Sequence, residues 1–306
     1  MPQLSAKVKY TNSNIIKRRP GEHIFDILNV IIMLFVCIAS IYPIWYVLVN
    51  SLNDATDAMT GGIYLWPRVF SLANYQKVLE TSGIGQSFKI SVLRTLIGTV
   101  FSVFFTAMVA YGLSKEYLVG RKLYMAMGTI TLFFSGGLIP GFLLLKNLNL
   151  LDSFWVFIFP SMFSFYNLLI FNSFFREIPK ALEESARIDG AQDMTVFFKI
   201  VLPLSKPVLA TIALFNGVYH WNDYFAGVMY INDTSLEPIQ TYMYRIIAES
   251  TSNMLSNNIS SAITQTTTST SIKLATMVIT TVPIICVYPF LQKYFVKGMM
   301  IGAVKE

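Results

Sequence analysis

The sequence has little charge for its length. Only 13% of its 306 residues are Asp, Glu, Lys or Arg, whereas soluble domains carry about a quarter. With 54% hydrophobic residues, the chain has too few polar side chains to cover its apolar surface. This composition excludes an ordinary soluble domain and indicates an integral membrane protein.

Cysteine, histidine and catalytic motifs are also scarce. Cys37 and Cys286 both lie within apolar runs, which favours small hydrophobic side chains over a disulfide or metal framework. The sequence contains no Walker A glycine loop and no HExxH pattern, and its two histidines are His23 and His220. These absences predict a protein that is not an enzyme and that holds no cofactor of its own.

Long apolar runs are what the sequence has instead. A helix needs about 20 mainly apolar residues to cross a bilayer. The runs that meet this length are 24–49, 88–113, 123–145, 153–175, 204–231 and 271–296. The first run is too long for a signal peptide and has no small-residue cleavage pattern, so we expect it to be retained. The predicted fold is all-α and integral to the membrane, with six transmembrane helices.

The basic residues predict the orientation of these spans. Most of the 23 lysines and arginines lie before span one, between spans two and three, between spans four and five, or after span six. The positive-inside rule places those segments, and both termini, in the cytoplasm. The predicted organisation is a cytoplasmic tail over 1–23, a transmembrane domain over 24–296 with an outer loop over 232–270, and a cytoplasmic tail over 297–306. Because topology explains the basic charge, we expect no nucleic-acid partner.

Segment 176–203 connects spans four and five on the predicted cytoplasmic side. Pro179 suits a helix start, and 180–188 has good helix formers. Gly190 can end that helix in the left-handed conformation. A helix, a glycine turn and a second short helix are therefore expected.

The second short helix is expected over 194–201. Asp193 is predicted to cap its N-terminus, and Pro203 is predicted to end it. On pattern alone, an amphipathic loop that stabilises the membrane interface and an element that docks on a partner fit equally well.

The spacing of this segment resembles the EAA loop of ABC importer permeases. The matching residues are Glu184-Ser185-Ala186, Gly190 and Ile200-Val201-Leu202-Pro203. Ser185 stands where the family often has alanine. YGLS in span two, Trp221-Asn222-Asp223 in span five and the ending QKYFVKGMMIGAVKE are similar to the carbohydrate-uptake, maltose-permease-like branch. FFSGGLIPGFLLLKNLNLLDS resembles the subset that imports oligosaccharides from complex, often uronate-bearing polysaccharides.

The resemblance, which covers nearly the whole chain, implies a type I ABC importer permease in a bacterial plasma membrane. It implies a second related permease subunit, two ATPase subunits that bind ATP and Mg²⁺, and an extracytoplasmic solute-binding protein. The loop over 183–203 is then the cytoplasmic coupling element that docks on the ATPases. The coupling residues that the resemblance implies are Glu184, Ser185, Ala186, Asp189, Gly190, Ile200, Leu202 and Pro203. Leu182, Phe197 and Ile200 are expected to fill a pocket of that partner.

Polar residues inside the spans are candidates for an oligosaccharide path. Asn216, His220 and Asp223 fall at i, i+4 and i+7, on one face of a helix. Further candidates are Tyr219, Trp221 and Asn222 in the same span, and Ser164 and Asn167 in span four. These polar groups can equally bond to neighbouring helices. Arg94 in span two can favour an acidic sugar or pair with an acidic neighbour.

Competing functions remain open at this stage. An ABC importer permease for another solute, such as peptides, shares the same loop. A secondary carrier is disfavoured because no internal repeat is visible, and many carriers are built from two related halves. Glycine and proline interruptions, such as Pro43, 135–137 and Pro207, fit packing kinks as well as a polar path.

Overall fold

The computed structural model of the chain describes residues 20–80, 83–256, 270–287 and 289. The chain divides into two compact units, Met1–Val47 and Leu48–Glu306. Most of the N-terminal tail, residues 257–269 of the outer loop and the C-terminal tail 297–306 lie outside the described residues. The predictions made for them therefore stay predictions.

The described ranges are helical, with one isolated antiparallel bridge between Asn53 and Phe70. The helices are α1 (Pro20–Ser51), α2 (Ala73–Glu80), α3 (Ile84–Ser114), α4 (Arg121–Phe133), α5 (Leu138–Asn147), α6 (Phe165–Glu177), α7 (Lys180–Ile188), α8 (Asp193–Val196), α9 (Leu202–Leu204), α10 (Lys206–Asn222), α11 (Phe225–Tyr230), α12 (Ile239–Ser256) and α13 (Thr270–Val287). A π-helix, Phe197–Val201, joins α8 to α9. Short 3₁₀ turns lie at Asp57–Thr60, Phe154–Phe157, Phe159–Ser161 and Thr234–Leu236.

Three helices in the described ranges are long and apolar enough to cross a membrane alone, namely α1, α3 and α13. Three bent pairs bring the number of possible spans to six. These pairs are α4 with α5, the turns over Phe154–Ser161 with α6, and Asp193–Leu204 with α10, bent by 116°, 50° and 83° respectively. This count agrees with the six predicted segments.

The fifth predicted span, 204–231, is not one continuous helix. It breaks after Asn222, and α11 begins again at Phe225. Asp223 has an extended backbone, and its carboxylate accepts a hydrogen bond from the amide of Ala226 at 3.2 Å. The side chain thus competes with the helix for backbone donors, which is how aspartate ends one helix and starts another.

Within the predicted outer loop over 232–270 the structure forms a helix, α12, over Ile239–Ser256. Ile239 and Tyr242 are buried in a cluster with Val78 and Trp221. The spacing of Ile239, Tyr242 and Ile246 is that of a helix face, and the polar tract that follows obscured it. The segment therefore packs on the bundle as a helix.

The core of the second unit is built around α3, which packs against both α6 and α10. Ala107 and Ala110 of α3 are fully buried, as are Phe171 of α6 and Ile212 of α10. Small alanines let the neighbouring helices approach closely, as is common where helices meet in a membrane. This packing sets the positions of both candidate sites described below.

Candidate functional site

Segment 176–203 folds as predicted in its first half. Helix α7 runs over Lys180–Ile188 after Pro179, and Gly190 adopts a left-handed conformation with φ of 83°. The amide of Ala191 donates to the carbonyl of Ala186 at 2.9 Å, and the amide of Gly190 donates to that of Arg187 at 3.0 Å. These two bonds form a Schellman motif, in which glycine is favoured because a Cβ is strained at positive φ.

The second half differs from the prediction at both ends. Gln192, not Asp193, holds the N-cap position of α8 and makes no side-chain capping bond, and Asp193 is the first helical residue. Pro203 does not end the helix, because α9 runs through it to Leu204. The π-helix at Phe197–Val201 precedes the proline. Its backbone hydrogen bonds join residues i and i+5 instead of i and i+4, and because the bonding pattern shifts there, the missing N–H of Pro203 is tolerated.

Three ion pairs stabilise this segment: two join it to residues just past the end of α3, and one, Arg187 with Asp193, lies within the segment itself. Lys115 pairs with Glu183, and both side chains are largely buried; the ammonium of Lys115 also lies 4.0 Å from the ring centre of Tyr111. Arg187 pairs with Asp193. The third pair, Lys180 with Glu116, is exposed, and its nitrogen lies 3.0 Å from the Glu116 oxygen.

Tyr117 ties the helix α7 to the start of α8. Arg187 donates to the Tyr117 hydroxyl at 2.7 Å, and that hydroxyl lies 3.3 Å from both carboxylate oxygens of Asp193. This hydrogen bond to Tyr117, with the charge of Asp193, raises the pKa of Arg187. The pKa of Glu116 is lowered by the hydrogen bond from Lys180. These contacts with Glu116 and Tyr117 hold the glycine turn against the loop that follows α3.

The inner face of the segment belongs to the protein core. Val196, Phe197 and Val201 are fully buried, and the Phe197 ring lies 5.2 Å from that of Tyr111. Burying a phenylalanine contributes about 1.5–3 kcal/mol. The expectation that Phe197 fills a partner's pocket was therefore wrong, because its ring is already used within the chain.

The outer face presents apolar side chains beside the glycine turn. Leu182 is 44% exposed, Ile188 87% and Met194 56%. Sequence reasoning missed Ile188 and Met194. Both are apolar residues on the polar side of short helices, and this mismatch is the signal that could have found them.

The structure places the predicted coupling residues in two groups. Glu184, Ser185, Asp189 and Gly190 are exposed around the turn, as is Pro203 farther along, whereas Ala186, Ile200 and Leu202 are half-buried against the core. Within the described ranges, the side chains of Glu184 and Asp189 make no hydrogen bond or ion pair. Open space surrounds the position that a Cβ of Gly190 would take.

Of the predicted stripe, Asn216 and His220 lie on one face of α10 that packs on α3, whereas Asp223 follows the end of the helix. Ser102 of α3 donates to Asn216 at 2.9 Å. The His220 ring lies directly over Gly98, where any Cβ would overlap it, and its Nε2 is 3.5 Å from the Ser161 hydroxyl. The structure therefore brings these residues together as contacts between helices of this chain.

Arg94 completes this polar cluster. Its guanidinium pairs with the carboxylate of Asp223, donates to the Asp223 backbone carbonyl at 2.8 Å and lies 4.4 Å from the Phe157 ring centre. Only 1% of Arg94 is exposed. Of the two roles that the sequence left open for Arg94, pairing with an acidic neighbour is the one that the structure shows.

The remaining path candidates are divided between buried and exposed positions. Trp221 is buried and donates to the carbonyl of Thr280 at 3.0 Å. Ser164 caps α6 by accepting from the amide of Asn167, which is itself buried. Tyr219 and Asn222 are exposed on another side of α10. Contact of any of these residues with substrate stays a prediction.

Two of the cavities in the described part of the chain have mainly apolar linings. One of about 410 Å³ lies between α3, α10 and α13, against Val92, Leu96, Gly217 and Ile284. The other, of about 660 Å³, lies between α3, α4 and α6. Neither cavity is lined by a charged residue.

Comparison with known proteins identifies the class. Residues 104–301 match the family described as binding-protein-dependent transport system inner membrane component. The polygalacturonan/rhamnogalacturonan transport system permease protein YtcP of Bacillus subtilis (strain 168) is 40% identical over 284 residues, which cover 93% of this chain and 99% of YtcP. Protein LplC of the same organism is 39% identical, with coverage of 92% and 95%.

Solved structures give the same result. A chain of a bacterial ABC transporter involved in the import of the acidic polysaccharide alginate matches with a TM-score of 0.82 and 29% identity, over 91% of this chain and 99% of that one. A chain of the alginate transporter in complex with an alginate pentasaccharide-bound periplasmic protein shares the fold, with a TM-score of 0.58, 14% identity and coverage of 90% and 96%.

The chain therefore belongs to the family of binding-protein-dependent transport system inner membrane components. It is a multi-pass permease subunit of an ABC importer and is not itself the catalytic subunit. The predicted family, the all-α membrane fold and the transport role are confirmed.

Proposed function

We propose that the chain is one of two permease subunits of an ATP-driven oligosaccharide importer that works by alternating access. Two cytoplasmic ATPase subunits bind ATP and Mg²⁺, and an extracytoplasmic solute-binding protein delivers the sugar. The membrane is a bacterial plasma membrane, and both termini lie in the cytoplasm. Oligosaccharide as the substrate is supported by relatives whose names specify polygalacturonan/rhamnogalacturonan and arabinooligosaccharide transport.

The geometry of the coupling loop is the observation that carries this proposal. Exposed Glu184, Asp189 and Ile188 surround a glycine turn that is braced on the end of α3. Such a surface offers charge and apolar contact to a partner, while its inner face is held in the core. A force applied to the turn is thus transmitted to a transmembrane helix instead of being lost in a mobile loop.

Gly190 provides the sharpest test. Gly190→Asp and Gly190→Asn add side chains of nearly the same size at the same positive φ, and Asn and Asp are the residues that best tolerate it. Nothing in the chain obstructs either side chain. We expect both variants to assemble in the membrane, and both to lose uptake if the ATPase approaches the backbone of the turn closely.

The assay is uptake of labelled oligogalacturonate, arabinotriose and a tripeptide by the complete complex in proteoliposomes, with and without ATP and vanadate. We expect sugar uptake that requires ATP and that vanadate blocks. Uptake in the absence of ATPase subunits would favour a secondary carrier, and transport of the peptide alone would replace the substrate. Full sugar transport by an assembled Gly190→Asp complex would refute the coupling role of the turn.

A further inference from the structure

Helix α10 has a second polar face besides the one that packs on α3. Phe215, Tyr219 and Asn222 fall at i, i+4 and i+7, the spacing of one helix face. All three are exposed, Phe215 by 40% and Tyr219 by 54%. The exposed face therefore combines two aromatic rings with a carboxamide, whereas the buried face holds Asn216 and His220.

The depth of this face makes its polarity informative. Asn222 is next to Asp223 in the chain, and Asp223 pairs with Arg94 of α3. Arg94 lies ten residues from Ile84, which forms the outer end of α3. At 1.5 Å per residue, this level is about 15 Å along α3 from that end. An amide at this depth is costly if it faces lipid. Asn222 donates to the carbonyl of Val218 at 2.8 Å, but its own oxygen accepts no bond from any described residue.

The two cavities described above have mainly apolar linings. The buried polar side chains of α10 make their hydrogen bonds to neighbouring helices and turns of this chain. An outer face of the bundle, where another subunit closes it, is therefore the better place for a sugar passage. The exposed face of α10 has the chemistry for such a passage.

We propose that Tyr219 and Asn222 form a sugar-binding subsite on the exposed face of α10, within a passage closed by the second permease subunit. The Tyr219 ring stacks on the apolar face of a pyranose, and the Asn222 carbonyl oxygen accepts a hydrogen bond from a sugar hydroxyl. Phe215 offers a further ring one turn toward the cytoplasm. The subsite rests on the proposed function and replaces the buried stripe of Asn216, His220 and Asp223 as the surface that meets substrate.

Cysteine accessibility in the complete complex tests which face meets water. Cys37 and Cys286 are first replaced by serine, and Tyr219→Cys, Asn222→Cys and Val218→Cys are then made one at a time. Val218 is the matched control, because it lies on α10 at the same depth and is 39% exposed, but it lines the apolar cavity between α3, α10 and α13. A charged methanethiosulfonate reagent modifies thiolates that contact water. We expect positions 219 and 222 to react at least about tenfold faster than position 218.

Protection by sugar tests contact. Trigalacturonate or arabinotriose, added with the binding protein and ATP, is expected to slow modification at positions 219 and 222. Equal rates at the three positions would overturn the polar passage. Fast modification that no transported sugar slows would overturn the subsite. A wild-type complex that imports no sugar would refute the proposed function instead, and the labelling rates would still decide which face meets water.

A transport measurement adds a second readout. Removing one stacking ring by Tyr219→Leu is expected to raise the KM for the transported sugar about three- to tenfold. Tyr124→Leu is the matched control, because Tyr124 is 53% exposed but lies on α4 against the apolar cavity. We expect this control to keep the wild-type KM. An unchanged KM in Tyr219→Leu, or an equal rise in both variants, would count against the subsite.

Discussion

Separating the buried pair of Arg94 and Asp223 should cost the permease more stability than removing both charges. Arg94→Met leaves the Asp223 carboxylate, whose side chain is 13% exposed, without its cation. Asp223→Asn keeps an acceptor for the Ala226 amide but leaves the guanidinium opposite a neutral group. Breaking a buried pair from one side costs about 3–5 kcal/mol.

The double variant defines the size of the interaction. Coulomb attraction between unit charges about 4 Å apart is about 4 kcal/mol at an effective dielectric constant of 20. Arg94→Met with Asp223→Asn removes both charges, so we expect its loss to be smaller than the sum of the single losses by about 2–4 kcal/mol.

The measurement is the free energy of unfolding of wild type, both single variants and the double variant, obtained by steric trapping in bicelles. Phe157→Leu serves as a reference, since it removes only the ring beneath Arg94. Losses that add within about 0.5 kcal/mol would refute the idea that the pair acts as a unit.

Three further predictions concern other contacts. Gly98→Ala should lower the free energy of unfolding by about 1–3 kcal/mol, because the new Cβ overlaps the His220 ring. Gly112→Ala in the same helix adds its Cβ to open space and should leave the free energy of unfolding unchanged. Equal losses in the two variants would contradict the packing of His220 on Gly98. Glu183→Gln should lower the free energy of unfolding of the permease by about 3 kcal/mol, because it leaves the largely buried Lys115 without its partner. Glu184→Gln should preserve stability and reduce sugar-stimulated ATPase activity; a reversed pattern would argue against the coupling surface. Hydrogen bonds from Asn232 hold the pKa of Asp152 below its usual 3.8. The attachment of Asp152 to the loop of Asn232 should therefore be complete above the usual pKa and be lost as the pH falls through the lower folded value. A spin label at 234 should gain mobility on acidification in wild type but show no such pH dependence in Asp152→Asn.

Segment 176–203, the proposed coupling loop, was the most predictable region because local chemistry determines it. Pro179, the helix formers of α7 and the positive φ of Gly190 act within a few residues of one another. The π-helix before Pro203 was not predictable, since it arises where Phe197 and Val201 must both reach the core. That requirement comes from α3 and α6, which are distant in sequence.

The polar stripe of α10 shows a different limit of sequence reasoning. The period correctly placed Asn216 and His220 on one face of α10, but Asp223 lies beyond the end of the helix, and period alone does not say what the face meets. Phe215, Tyr219 and Asn222 have the same period on another side of the helix. The outcome was decided by Arg94, Gly98 and Ser102, which supply a cation, a space and a donor at three successive levels of α3.

Helix α3 can also transmit motion from one of its ends to the other. It is 31 residues long, or about 46 Å. Arg94 ties its N-terminal part to the α10–α11 break, and Lys115, just past its C-terminal end, ties it to α7. If it pivots rigidly about its middle by about 10°, each end moves about 4 Å, in opposite directions. A push on segment 176–203 toward one side would therefore carry the N-terminal end of α3 toward the other.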